Sequence, residues 1–225
     1  MNEASKTRRL WTDLEIGILQ GKGIDIGCGD DPVTASVRPF DRAHGDANVI
    51  TQYIHETFDF VFSAHCLEHM RDPHAALLEW WTLVAPGGHL FFIVPDEELY
   101  EQGFWPSIFN SDHKATFTMA RPARPSPVSV NVNDLIATLP GCQVVDVRLH
   151  DQHYDRSCLM TGTCKRAWAR LFRSVRWHAV RGLARICIRA DLLWIARAFR
   201  VPVDQTIGRA SAQVQVIVRK RPDLQ

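Results

Sequence analysis

The chain has 225 residues, 46% hydrophobic and 23% charged, with a formal net charge of +1. This is ordinary for a soluble globular protein and long enough for one well-cored domain with an elaboration. No apolar run reaches the ~18 residues of a bilayer-spanning helix, the first residues lack an apolar signal core, and the six cysteines have no paired CxxC spacing. A zinc cluster or disulfide framework is therefore not expected, no metal is assigned, and a reducing cytosol fits best.

Residues 1–20 read as an amphipathic helix through Leu10, Trp11, Leu14 and Ile18. Gly23 to Ile26 is the first strand, and it runs into Gly27-Cys28-Gly29-Asp30. Two glycines one residue apart permit positive φ and let the backbone lie against a ligand. A nucleoside-binding α/β fold needs this at the carboxyl end of its first strand. A nicotinamide site would want a third glycine three positions after Gly29, where this chain has Pro32 behind Asp30 and Asp31. Those acids repel a pyrophosphate. The pattern favours a ligand with a cationic, phosphate-free head, such as S-adenosylmethionine. Cys28 reads as a small packing residue in the bend.

Val33 to Val37 leaves room for a short helix, followed by a second strand near Val37 to Phe40. Ala47 to Ile50 reads as the third strand, Phe58 to Ser63 as the fourth and His89 to Pro95 as the fifth. Between the last two, Pro73 to Val84 has a helical apolar face ended by Pro86-Gly87-Gly88. The proline-containing stretch 97–130 suits a lid over the strand ends. Asn133 to Leu139 reads as a helix capped by Asn133, Cys142 to His150 as the sixth strand, and Ala212 to Val218 as the seventh.

About 60 residues separate the last two strands, and charge divides there. Residues 1–150 carry 11 Lys/Arg against 20 Asp/Glu; residues 151–225 carry 15 against 5. Between 164 and 200 there are ten basic residues and one acid, Asp191, with apolar residues near a 3.6 period. This insertion reads as one basic helix or two broken near Gly182. Its arginines suit a solvated face, an anionic membrane surface, or an anionic glycan or nucleotide-sugar. Nucleic acid is not expected, because no aromatic stacking platform accompanies them. The expected organisation is a core over 1–150, a basic helical insertion over 151–210, and a last strand and tail over 211–225.

The motifs DxGCG, FDxVxSxHxLEH and LxxPGGxL stand in this order within residues 20–96. The chain thereby resembles the class I S-adenosylmethionine-dependent methyltransferases, specifically the type 11 group. The resemblance implies a Rossmann-like α/β fold with a seven-stranded, mostly parallel sheet, its last two strands forming an antiparallel pair. It further implies that Gly27 and Gly29 let the backbone approach the donor, and that Asp25 supports the methionine ammonium. Asp41, 16 residues after Asp25, matches the acid that grips the ribose hydroxyls, at the end of a shortened crossover. Asp46 is next in line for ribose or adenine, with a turn aspartate as the alternative, while Ser63, Ala64 and His65 border the methionine moiety.

Methyl transfer from a sulfonium needs alignment and desolvation more than activation. An oxygen acceptor also needs a base. His65, near the methyl group, and His113, beside Asp112 in the lid, are the candidates; His69 in the LEH triplet reads as structural. Tyr100, Trp105, Asp112 and His113 offer aromatic faces and polar tips that suit sugar rings. The expected function is O-methylation of a sugar, polysaccharide precursor or similar polar metabolite by a cytoplasmic enzyme. Two alternatives stand beside it: action on a lipid or quinone at the inner membrane face, and a non-catalytic donor-binding assembly subunit.

Overall fold

The computed structural model describes residues 3–119, 126–159 and 202–222. The basic insertion between 164 and 200, with the helices expected of it, lies outside the described residues. Among the described residues no helix is long and apolar enough to cross a membrane.

The elements in chain order are α1 (Glu3–Arg8), α2 (Asp13–Ile18), β1 (Gly23–Ile26), β2 (Arg38–Phe40), β3 (Phe58–Ala64), α3 (Pro73–Thr82), β4 (Val84–Pro95), β5 (Thr116–Thr118), β6 (Ser129–Asn131), α4 (Val132–Ala137), β7 (Cys142–His150) and β8 (Gln213–Lys220). Six of the strands form one sheet in the order β2-β1-β3-β4-β8-β7. β2, β1, β3 and β4 are parallel, and β8 runs antiparallel between β4 and β7. The expected mostly parallel α/β sheet is present, with six strands rather than seven.

The missing strand is Ala47 to Ile50. These residues instead form a 3-10 helix, Ala47–Gln52. Asp46 accepts a bond from Asn48 N at its start, Ile50 is fully buried, and the Trp80 indole donates to Ala47 O at 2.8 Å. A short apolar run fits a strand or one buried helical turn equally well, and tertiary packing decided it.

Alternation along the strands divides the core between the two faces. Leu90, Phe92 and Val94 of β4 join Val214, Val216 and Val218 of β8 beneath α3 and α4. Phe91 and Ile93 face the other way, with Phe60, Phe62 and Ile217, and are covered by Ile18, Leu19 and Trp11. This second layer is thin, because residues 27–37 form turns where a short helix was expected. The N-terminal segment supplies that cover as two helices rather than one. Thr12 breaks it by capping α2, in a reciprocal box with Glu15. Consequently Leu14 and Ile16 are 42% and 51% exposed, while Ile18 is buried. Glu15 is buried too, and bonds from Thr12 and Gln215 hold its carboxyl at about 2 against the opposing effect of burial.

Three smaller expectations also shift. α4 begins one residue earlier than expected and is capped by Asn131, which accepts from Asn133 N and Asp134 N, rather than by Asn133. α3, capped by Asp72 with Pro73 in its first turn, ends at Thr82 rather than Val84, and Pro86-Gly87-Gly88 lies within β4, which begins at Val84 rather than His89. The segment 97–130, expected as a lid, contains a small parallel sheet, β5 with β6, whose Phe117 is fully buried in the core. Glu97 N donates to Phe117 O at 2.7 Å, so the lid is anchored on the end of β4.

Candidate active site

Register brings the site together. Ile26 of β1 lies beside Phe40, Ala64 of β3 beside Ile93, and Pro95 of β4 beside Gln213 of β8. The carboxyl ends of three parallel strands and the start of β8 thus meet along one edge. A cavity of about 420 Å³ opens there, lined by the Gly27–Gly29 bend, the end of β3, the lid and the segment before β8.

The bend forms its floor. Gly27 and Gly29 have φ of +81° and +54°. At Gly27 a Cβ would lie 2.7 Å from both the Cβ and Sγ of Cys66, whereas at Gly29 it would meet only Asp41 Oδ2, at 3.9 Å. The first glycine is needed for packing inside the bend and the second leaves open space. Cys28 lies on the wall with its thiol pushed up to about 11, by burial first and then by the Asp25 charge, so it is a protonated packing group. Asp25 also lines the cavity. One of its oxygens accepts Val33 N at 2.7 Å. Burial, together with the charges of Asp31 and Asp41, raises its carboxyl to about 7 in spite of that bond.

Asp41 stands beside the bend rather than in the cavity wall. Its two oxygens accept Gly29 N at 2.8 Å and Arg42 N at 2.6 Å, which leaves acceptor capacity on each. Asp46 is set apart from the cavity. It accepts from Asn48 and from Arg71 at 2.9 Å, contacts that hold its carboxyl below the ordinary value. The turn reading of Asp46 is the one its geometry supports. Ser63 is buried and donates to Ile26 O at 2.9 Å, tying β3 to β1 behind the wall. Ala64 and His65 reach the cavity itself, His65 with φ of +54°.

From the lid, Tyr100, Phe109, Asn110 and His113 line the opposite side. Tyr100 packs its ring on His113 at 5.3 Å and on Phe109 at 5.9 Å. Trp105 and Asp112 fall outside the wall. Asp112 is half exposed and turns to His69 Nδ1, 3.1 Å away, and to Arg42. Sequence had paired it with its neighbour His113, but the turn closed by His113 N on Asn110 O sends the two side chains to different partners. The acid that His113 does contact is Glu101, Nδ1 to Oε1 at 2.6 Å, with both side chains buried.

At the centre of this wall is Glu68, fully buried in the Leu67–His69 turn. Its Oε1 lies 3.5 Å from His65 Nδ1 and 4.0 Å from Nε2 of both His69 and His113. Burial works against its charge, yet these imidazoles hold its carboxyl below the ordinary value. The lid is stitched to the same turn: Lys114 N and Ala115 N donate to Glu68 O, and Lys114 Nζ to His69 O at 2.7 Å. That stitching sets His113 edge-on against His69, ring centres 5.1 Å apart. Sequence reasoning missed Glu68, Glu101 and Gln213. The LEH triplet signalled the first; nothing local signals Gln213, which reaches His65 Nε2 at 2.9 Å from the far end of the chain.

Residues 4–199 match a family described as a methyltransferase domain. The chain belongs to that methyltransferase family. No curated protein matches the chain in sequence. The methyltransferase aligns with a solved structure of a Bacillus halodurans protein assigned as a methyltransferase, at 12% identity and a TM-score of 0.54, over 96% of this chain and 99% of that one. This likeness shows the fold. An S-adenosylmethionine-dependent methyltransferase of Thermotoga maritima aligns at 16% identity and a TM-score of 0.46, covering 98% and 88% of the two chains. The phosphoethanolamine N-methyltransferase 2 of Haemonchus contortus, solved with S-adenosylmethionine, aligns at 15% and 0.40, covering 84% and 38%.

The methyl donor that goes with a methyltransferase domain of this fold is S-adenosylmethionine. The cavity fits it on three observations. Its volume is in the range of small-molecule sites, Gly29 leaves open space at the bend, and Asp25 puts a carboxyl group on the wall that suits a cationic donor. When bound, the cofactor supplies a methyl group already activated on sulfur.

Proposed function

We propose that the enzyme methylates a hydroxyl oxygen of a sugar or related polar metabolite. The observation that carries this reading is the buried His113–Glu101 pair on the cavity wall. Glu101 accepts the Nδ1 proton, so the neutral ring keeps its lone pair on Nε2. A hydroxyl needs such a nitrogen to take its proton as the oxygen bonds to the methyl carbon and the sulfur keeps the electrons of the breaking bond; an amine often does not. Tyr100, Asn110, Asp204 and Thr206 give the same cavity the mixture of aromatic and polar surface that sugars use. His65 is the weaker base, since Gln213 Oε1 already holds its Nε2.

The test is S-adenosylhomocysteine formation, followed by mass spectrometry, with nucleotide-sugars, free sugars, polar hydroxy acids, amines and anionic phospholipid or quinone vesicles. Turnover should be confined to hydroxyl-bearing polar acceptors. Turnover only with amines or vesicles, or none with any acceptor, overturns the reading.

Donor binding in this proposal uses the Asp25 carboxylate against the methionine ammonium. With its carboxyl at about 7 in the free protein, Asp25 is partly protonated near neutrality, and the ammonium favours the ionised form. Binding near neutral pH then expels on the order of half a proton, and affinity rises as pH increases through 7. Calorimetry with S-adenosylhomocysteine in buffers of different ionisation enthalpy reads this directly. Asp25→Asn should abolish both the proton release and the pH slope; an unchanged slope removes Asp25 from the donor site.

A further inference from the structure

Three imidazoles converge on one buried carboxylate, Glu68. His113 Nδ1 faces Glu101 Oε1 at 2.6 Å, and His69 Nδ1 faces the carbonyl and Oδ2 of Asp112 at 3.2 and 3.1 Å. Both partners only accept, so each Nδ1 carries a proton and Nε2 is the ring nitrogen turned toward Glu68. Those two Nε2 atoms lie 4.0 Å from Glu68 Oε1. His65 repeats the arrangement with its nitrogens exchanged. Gln213 donates its amide to Thr7 Oγ1, turning Oε1 toward His65 Nε2. His65 Nδ1 then faces the same Glu68 oxygen, at 3.5 Å. Both Glu68 carboxylate oxygens are buried and meet no hydrogen-bond partner at ordinary distance. A buried carboxylate in that position calls for positive charge beside it, carried by protons on the surrounding rings or by a cation between them.

The geometry points to a divalent-cation site of the zinc class formed by Glu68, His69 and His113, with Asp112 and Glu101 as positioning residues. One ligand atom from each of the three lies within 4.8 Å of the others. Bonds of about 2.0–2.2 Å in a tetrahedral site hold ligand atoms roughly 3.4 Å apart. The 4.0 Å separations of Glu68 Oε1 from the two histidine nitrogens therefore close by about half an ångström on binding. A two-histidine, one-carboxylate set suits zinc and its first-row neighbours, and a carboxylate or carbonyl behind each histidine is the usual way such ligands are oriented. The sequence hid the set because His69 and His113 belong to separate elements, joined only by the Glu68 and Lys114 backbone bonds. All three residues line the donor cavity. Within the hydroxyl-transfer reading, on which this role rests, a bound ion would replace His113 as the activating group: an acceptor hydroxyl on the ion would lose its proton to solvent water, and His113 would serve as the base only in the metal-free enzyme.

Cobalt(II) titration of the chelator-treated protein tests the site without any acceptor. The wild type should bind one ion per chain with the visible absorption of low-coordinate cobalt, and zinc should displace it. His69→Ala should lose that spectrum. Asp112→Asn, which alters a half-exposed residue outside the wall, should weaken binding about tenfold. Circular dichroism and S-adenosylhomocysteine affinity confirm that each variant is folded. Absence of a wild-type spectrum means that a proton occupies the cluster and overturns the site, as does binding undiminished in both variants. Such a failure leaves the acceptor assay untouched, and a failed acceptor assay leaves the spectrum untouched.

Discussion

Gly27→Val should raise the dissociation constant for S-adenosylhomocysteine by about a hundredfold or more, a loss of roughly 3 kcal/mol. Two strains act together. The backbone holds φ at +81°, where a β-branched residue costs on the order of 1–3 kcal/mol. The new Cβ would also stand 2.7 Å from the Cys66 side chain, inside van der Waals contact. Cys66 cannot retreat easily, because it starts the turn that carries Glu68. The bend therefore moves, and with it the cavity floor. Cys66→Gly in the same chain removes the clash but not the strain, so it should recover part of the affinity. Gly29→Ala, with open space at its Cβ, should cost clearly less. Calorimetry gives all three values. Affinity unchanged in Gly27→Val would separate the bend from donor binding.

The second large effect is on stability. Trp80→Ala should cost about 3–5 kcal/mol, a large part of the roughly 5–15 kcal/mol that holds a typical domain together. Trp80 is fully buried in the core beneath the sheet. Its indole N–H also satisfies Ala47 O at 2.8 Å, so truncation leaves a cavity and also removes the donor to a half-buried carbonyl. Trp80→Phe keeps most of the volume and loses the bond, and should cost about 1–2 kcal/mol. Urea denaturation with an unchanged m-value measures both. A loss below about 1 kcal/mol for the alanine variant would mean that the Ala47–Gln52 turn is held by something else.

These two residues also mark how differently the chain can be read. The bend at Gly27 was legible, since glycines after an apolar strand have few other uses. Its internal reason, contact with Cys66, was not, because that contact joins residues 39 positions apart. Trp80 was legible as part of an apolar helical face, but its indole bond turns a run that looked like a strand into a 3-10 turn. Asp46 shows the same limit: an aspartate in a glycine turn caps or binds according to where the chain goes next, and in this fold it caps.

By itself the sequence determined most of the sheet strands and the edge at which they end. Long apolar runs and a glycine bend are local properties, and local energetics fix them, whereas the Ala47–Ile50 run and the Pro86-Gly87-Gly88 stop were settled by packing. The tertiary structure alone decided which side chains share the cavity. His69, Glu68, Glu101, His113 and Gln213 are brought together by strand register and by two backbone bonds to the Glu68 carbonyl. Side-chain direction in a lid depends on where the lid is anchored, and no neighbour in the chain encodes that.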